Sequence, residues 1–148
     1  MAAFETENGI PFAWVNLREG VLKDEITDTC TAGVGTLLVE LSMLSYYTAN
    51  DKYFVSGHKA LLQLWKLRNK SNNLFGNSFD RNTLEWTNEN SGIGAGIDSF
   101  YEYLLKTFLL TGYHKYWDMF LLAYRGALKY LRQVLFCAKV QKINLISI

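Results

Sequence analysis

The residue best placed for chemistry is Asp98, in the run Gly92-Ile-Gly-Ala-Gly-Ile-Asp-Ser-Phe-Tyr-Glu102. The glycines let the backbone approach a ligand closely. The carboxylate then falls at the start of a predicted helix, where the dipole favours a negative charge. An ionised, positioned carboxylate can act as a general base on water. The same placement also suits a plain helix-capping acid, since such positions commonly hold Asp. Glu102 is a candidate ligand for substrate. The spacing Ser99 to Glu102 equally reads as a capping box, in which each side chain satisfies a backbone donor at the helix start.

Other chemistry-bearing residues do not converge. His58 and His114 fall on different predicted helices without metal-ligand spacing, which suits surface or packing roles. The two cysteines, Cys30 and Cys137, make neither a disulfide framework nor a zinc site, and no histidine lies near either in sequence. Gly33-Val-Gly35 and Gly92 to Gly96 follow no strand of a βαβ unit and lead to no Lys-Ser/Thr, so a phosphate loop is not supported. Asn69-Lys70-Ser71 is an N-glycosylation triplet, relevant only in a secretory compartment.

These residues are carried by a repeat. Shifted by 63 residues the chain matches itself without a gap: Ala32-Gly33 falls on Ala95-Gly96, Leu41 on Leu104, Thr48 on Thr111, Lys52-Tyr53 on Lys115-Tyr116, Ala60 on Ala123 and Lys66 on Lys129. Each copy, about 32–69 and 95–132, reads as a helical hairpin. The apolar spacing predicts helices from about Gly33 to Thr48 and from Asn50 or Asp51, as cap, to about Asn69. In the second copy it predicts one from Ser99 to about Leu110, stopped by Gly112, and one from His114 to at least Arg132. Between the copies, turn-formers separate two short alternating runs in 72–96, which predicts a β-hairpin. A smaller extended stretch is expected from Pro11 to Leu17. The fold class is therefore mostly α, built of tandem hairpins as in a solenoid or a closed α/α barrel. Two repeats are few, because stacked hairpins bury their faces against neighbours and about three or more are usual.

An apolar fraction of 49% supplies a core and argues against disorder. A net charge of +1 with scattered Lys and Arg offers nothing to nucleic acid or to an acidic membrane surface. Aromatic residues, at 15%, suit core filling or a surface that stacks on sugar faces. The polar, acidic start, 1–9, does not read as a signal peptide, and no apolar run is long enough for a transmembrane segment.

Phe4-Glu-Thr, Gly9-Ile-Pro11, Val15-Asn-Leu17, Thr29-Cys-Thr-Ala-Gly-Val-Gly-Thr36 with Val39-Glu-Leu41, Leu64-Trp65 with Arg68, Gly76-Asn77 and above all Gly92 to Lys106 stand in one order. In that order the chain resembles the class I α-mannosidases, glycoside hydrolase family 47, and most closely their ER degradation-enhancing branch. The resemblance covers about residues 3–132. It implies part of a calcium-dependent (α/α)7 barrel that trims terminal α-1,2-linked mannose from mannose-rich N-glycans, with inversion. Inversion needs one carboxyl as acid on the leaving oxygen and another activating water from the opposite face. Asp98 matches a family active-site aspartate on or near the base side. The resemblance also implies misfolded glycoproteins as the glycan carriers and the endoplasmic reticulum as the compartment.

Departures accompany the match. The family's general acid lies in an earlier hairpin, and a further essential glutamate and the calcium-binding threonine lie in later ones. This chain is therefore expected to be a partial domain, 1–132, with no metal ligands of its own, followed by a divergent tail, 133–148. Gly33 stands where the glycan-trimming mannosidases tend to carry a glutamate, which favours the degradation branch. The expected activity is that of an inverting α-1,2-mannosidase at family level, with the partial chain alone inactive. A non-catalytic helical module that binds glycans or misfolded clients is the alternative.

Overall fold

The computed structural model describes residues 1–133 and 136–137. The fold is mostly helical with a small antiparallel sheet. A short 3-10 turn at Ala2–Phe4 precedes strand β1, Asp28–Cys30, which runs directly into helix α1, Thr31–Gly35. Helices α2, Leu38–Thr48, and α3, Lys52–Leu67, form the first hairpin. Strands β2, Ser78–Asp80, and β3, Trp86–Asn88, follow, and then helices α4, Asp98–Thr111, and α5, His114–Tyr130, form the second hairpin.

The helices sit where apolar spacing places them. α3 buries Gly57, Ala60, Leu61 and Leu64, one stripe at intervals of three and four. α5 buries Tyr116, Met119, Ala123, Gly126 and Ala127 in the same manner. α4 turns Phe100, Leu104 and Thr107 into the shared core. Both hairpins turn through a left-handed residue at repeat-equivalent positions, Ala49 (φ 50°) and Gly112 (φ 72°). Asp51 is the N-cap of α3 without a side-chain cap bond, and Asn50 just before it accepts the Lys52 N–H at 3.1 Å. α2 lies against α4, and Tyr103 donates to Glu40 Oε1 at 2.7 Å, a bond between residues 63 positions apart.

The predicted β-hairpin is present, and β1 joins it to make a three-stranded sheet of order β1-β2-β3. Asp80 shapes its turn, accepting the N–H groups of Asn82 and Thr83, both at 2.8 Å. The Thr27 hydroxyl, first, and the Thr83 N–H, second, hold the Asp80 carboxyl below the ordinary carboxylate range. Phe79, fully buried, meets Trp86 edge-on at 5.5 Å, and the Trp86 indole N–H donates to the Leu67 carbonyl at 3.3 Å. The sheet is thereby fixed to the end of α3.

Several expectations are corrected. The first helix is not continuous from Gly33 to Thr48. Thr36 leaves the helical region (φ −110°, ψ 17°), which divides α1 from α2, while its N–H and hydroxyl both donate to the Ala32 carbonyl at 3.1 and 2.8 Å. Pro11 to Leu17 forms no strand. The Asn16 side chain accepts the Arg18 and Glu19 N–H groups at 2.8 and 3.1 Å, folding the chain into a turn closed by an Asn16–Gly20 bridge. α5 ends at Tyr130 rather than continuing past Arg132. The chain then enters a two-residue ladder, β4, Arg132–Gln133, paired with β5, Phe136–Cys137. Most of the 133–148 tail lies outside the described residues. Among the described residues no helix is long and apolar enough to cross a membrane.

Candidate active site

Asp98 is positioned by a glycine turn clamped between the two repeats. The N–H groups of Ile97 and Asp98 both donate to the Gly94 carbonyl, at 3.1 and 2.9 Å. Asn77, just before β2, holds this turn: its Nδ2 donates to the Ala95 carbonyl at 2.6 Å, while its own carbonyl accepts the Thr31 N–H at 3.0 Å. The Ala32 N–H donates to the Gly96 carbonyl at 2.8 Å, so equivalent parts of the two copies meet here. Gly96 has φ +89°, and a Cβ on it would lie 2.4 Å from Asn77 Oδ1, so the clamp requires glycine.

Asp98 is the first residue of α4 and is exposed. Its Oδ1 accepts the Ser99 N–H at 2.7 Å and the Ser99 hydroxyl at 3.1 Å. The side chain thus does satisfy one first-turn donor, as a capping acid would. Among the described residues Oδ2 has no partner. Glu102 lies one turn further along the same face and is also exposed. The capping box between Ser99 and Glu102 does not form. Ser99 lies inside the helix and turns its hydroxyl to Asp98, while Glu102 Oε1 pairs with Lys106 Nζ. That pair is solvated and contributes little to stability.

The two carboxylates border a groove of about 510 Å³ between α4 and the C-terminal half of α5. Its far wall is aromatic: Phe120 and Tyr124 stack with ring centres 5.3 Å apart and planes 17° apart, and Arg132 stands at one end. Tyr101 lies beneath the carboxylates. Burial pushes its phenol up to about 12, with the Ser91 hydroxyl acting in the opposite sense. The groove therefore joins hydrogen-bond acceptors to a flat apolar wall, the combination that a ring with an apolar face and polar rim requires. The aromatic wall was not anticipated from the sequence, although Phe120 and Tyr124, four apart on one helix, carried the signal.

The histidines lie elsewhere. His58 Nδ1 is 2.6 Å from Tyr116 Oη, where it joins α3 to α5 near the hairpin turns, and His58 stacks on Phe54. Burial first and Lys115 second lower its pKa, while burial first and Tyr113 second raise that of Tyr116. Both groups thus favour their uncharged forms, and the His58 tautomer sets which of them donates. His114 packs against Phe108 at 5.4 Å. Cys30 accepts the Gly33 N–H at 3.2 Å through Sγ, at the start of α1. Calcium takes six to eight oxygen ligands. Among the described residues no group of three or more His, Cys, Asp or Glu side chains gathers to hold a metal.

Comparison with known proteins bears on this arrangement. The model of glycosyl hydrolase family 47 matches residues 1–145. The chain is 46% identical over 132 residues to alpha-mannosidase I MNS5 of Arabidopsis thaliana, covering 89% of this chain and 23% of that protein. It is 40% identical over 138 residues to ER degradation-enhancing alpha-mannosidase-like protein 3 of Homo sapiens, covering 90% of this chain and 15% of that protein. Among solved structures the alpha-1,2-mannosidase from Trichoderma reesei superposes with a TM-score of 0.75 at 24% identity, over 88% of this chain and 28% of the other, a likeness of fold. The chain thus spans between 15% and 28% of the length of these proteins.

Proposed function

Because the chain belongs to glycosyl hydrolase family 47, we propose that it is a segment of an α-1,2-mannosidase-like protein of the endoplasmic reticulum. On this reading the whole protein acts on mannose-rich N-glycans of misfolded glycoproteins and marks them for degradation. The segment supplies two hairpins of an (α/α)7 barrel. Asp98 serves on the base side of an inverting hydrolysis, taking a proton from the attacking water. Glu102 accepts from sugar hydroxyls with the oxygen that Lys106 leaves available. The Phe120–Tyr124 wall receives an apolar sugar face. The general acid and the calcium ligands come from hairpins outside these 148 residues.

The observation that carries this reading is the pairing of Asp98 and Glu102 on the open face of α4 against an aromatic wall. It is supported by an ER degradation-enhancing relative and a mannosidase relative that each match about nine-tenths of the chain. The test is release of mannose from a mannose-rich N-glycan with calcium present. It compares the 148-residue chain with a chimera in which it replaces the matched segment of the Arabidopsis relative. Release by the chimera and none by the chain supports the reading. Release by the chain alone would mean that the acid lies within these residues. Glycan binding without release by either protein would favour a binding module.

A further inference from the structure

The mannosidase reading leaves one chemical motif unused, the triplet Asn69-Lys70-Ser71 just after α3. It is the only Asn-X-Ser/Thr sequence in the chain, and its middle residue is not proline. We propose that Asn69 is an acceptor for an N-linked glycan, a modification that rests on the secretory placement proposed above.

The local geometry brings together the groups this modification needs. The triplet lies in the loop between α3 and β2, with Lys70 and Ser71 exposed. The Ser71 N–H and hydroxyl both donate to Asn69 Oδ1, at 2.8 and 2.6 Å. The chain here folds the hydroxyl residue back onto the amide two positions before it. Two donors on Oδ1 draw electron density out of the amide and ease removal of a proton from Nδ2. Loss of that proton is what makes the nitrogen nucleophilic, because in the neutral carboxamide its lone pair is delocalised into the carbonyl.

The co-reactant is an oligosaccharide carried on a lipid diphosphate. Nδ2 attacks the anomeric carbon of its reducing-end sugar and forms the N–C bond. The bond from that carbon to the diphosphate oxygen breaks, and the lipid diphosphate leaves with the electron pair. One Nδ2 proton passes to base, so no oxidant or reductant enters.

The test is cell-free synthesis of the full chain in the presence of ER-derived microsomes. A cleavable secretory leader precedes the chain and one reporter glycosylation triplet follows it. The leader supplies entry, so the outcome is independent of whether the native protein reaches the endoplasmic reticulum. The expected product carries two glycans, seen as two mobility steps that an endoglycosidase removes. Asn69→Gln and Ser71→Ala each remove one step, and Ser71→Thr restores both. A product glycosylated on the reporter alone would overturn the proposal, since entry would be proven and Asn69 passed over.

Discussion

The two hairpins are copies of one plan, yet they treat the same place oppositely. In the first, Gly35 opens onto Phe100 of the second hairpin, so closely that a Cβ on Gly35 would sit 2.2 Å from the ring. Phe75 packs between Phe100 at 4.6 Å and Trp65 at 5.5 Å, and Gly57 lets Leu38 and Leu41 approach α3. The result is a sealed apolar core. One repeat length later, Gly35 becomes Asp98, Val39 becomes Glu102, Gly57 becomes Phe120 and Leu61 becomes Tyr124. Those four line the open groove. A position used for packing in one copy thus faces an open groove in the other. The difference lies in these four side chains and in the backbone beside them, since the first copy breaks its helix at Thr36 just after Gly35 while the second starts an unbroken helix at Asp98.

Exchanging the key residues sharpens this contrast most. Gly35→Asp forces a carboxylate into Phe100 and leaves it buried without a partner, which is expected to cost on the order of 4 kcal/mol. Asp98→Gly, at the exposed equivalent, is expected to cost no more than about 1 kcal/mol. Urea unfolding of the two variants measures both. Similar losses would break the distinction between a sealed and an open copy.

The paired glycines give a smaller effect. Gly96→Ala meets both the positive φ and the Asn77 amide, and is expected to lose about 3 kcal/mol. Its equivalent, Gly33, lies within α1, and a Cβ there meets only Cys30 Sγ at 3.2 Å and Thr29 Oγ1 at 3.8 Å. Gly33→Ala is expected within about 1 kcal/mol of neutral, the helix gain offsetting the contact. Thermal midpoints decide whether one Ala-Gly sequence has two different roles.

The smallest effect concerns the bond that ties the copies together at their turns. His58 is neutral by preference when folded, because burial and Lys115 lower its pKa; Phe54, Tyr113, His114 and Tyr116 line the same pocket. The unfolded chain therefore binds the proton first. The contribution is complete above the ordinary histidine value of 6.5 and declines as the pH falls below it. His58→Gln is expected to shrink the loss of stability between about pH 7.5 and 5.5. An unchanged pH slope would remove His58 from that account.

The repeat made most of the helical plan legible, because a shift of 63 residues preserved the apolar spacing of both hairpins and the turn before each second helix. The β-hairpin was legible from its turn residues. The break at Thr36 was not, since it is a change in one residue's backbone angles that apolar spacing does not register. Nor was β1, because three residues, Asp28–Cys30, pair with a partner about fifty positions away. Asp98 and Glu102 could be nominated from spacing. Their surroundings could not, since Phe120 and Tyr124 reach them only through the packing of α4 on α5. Glu102 chose Lys106 over the helix start, a competition between two local partners that spacing alone leaves open.

On the proposed function, Asp98 does chemistry where its counterpart Gly35 only packs. The most direct measurement is Asp98→Asn in the chimera with the Arabidopsis relative, scored for mannose release and for glycan binding. Turnover is expected to fall on the order of 10²–10⁴-fold with binding retained. Turnover equal to that of the unsubstituted chimera would contradict it and leave Asp98 a first-turn acid.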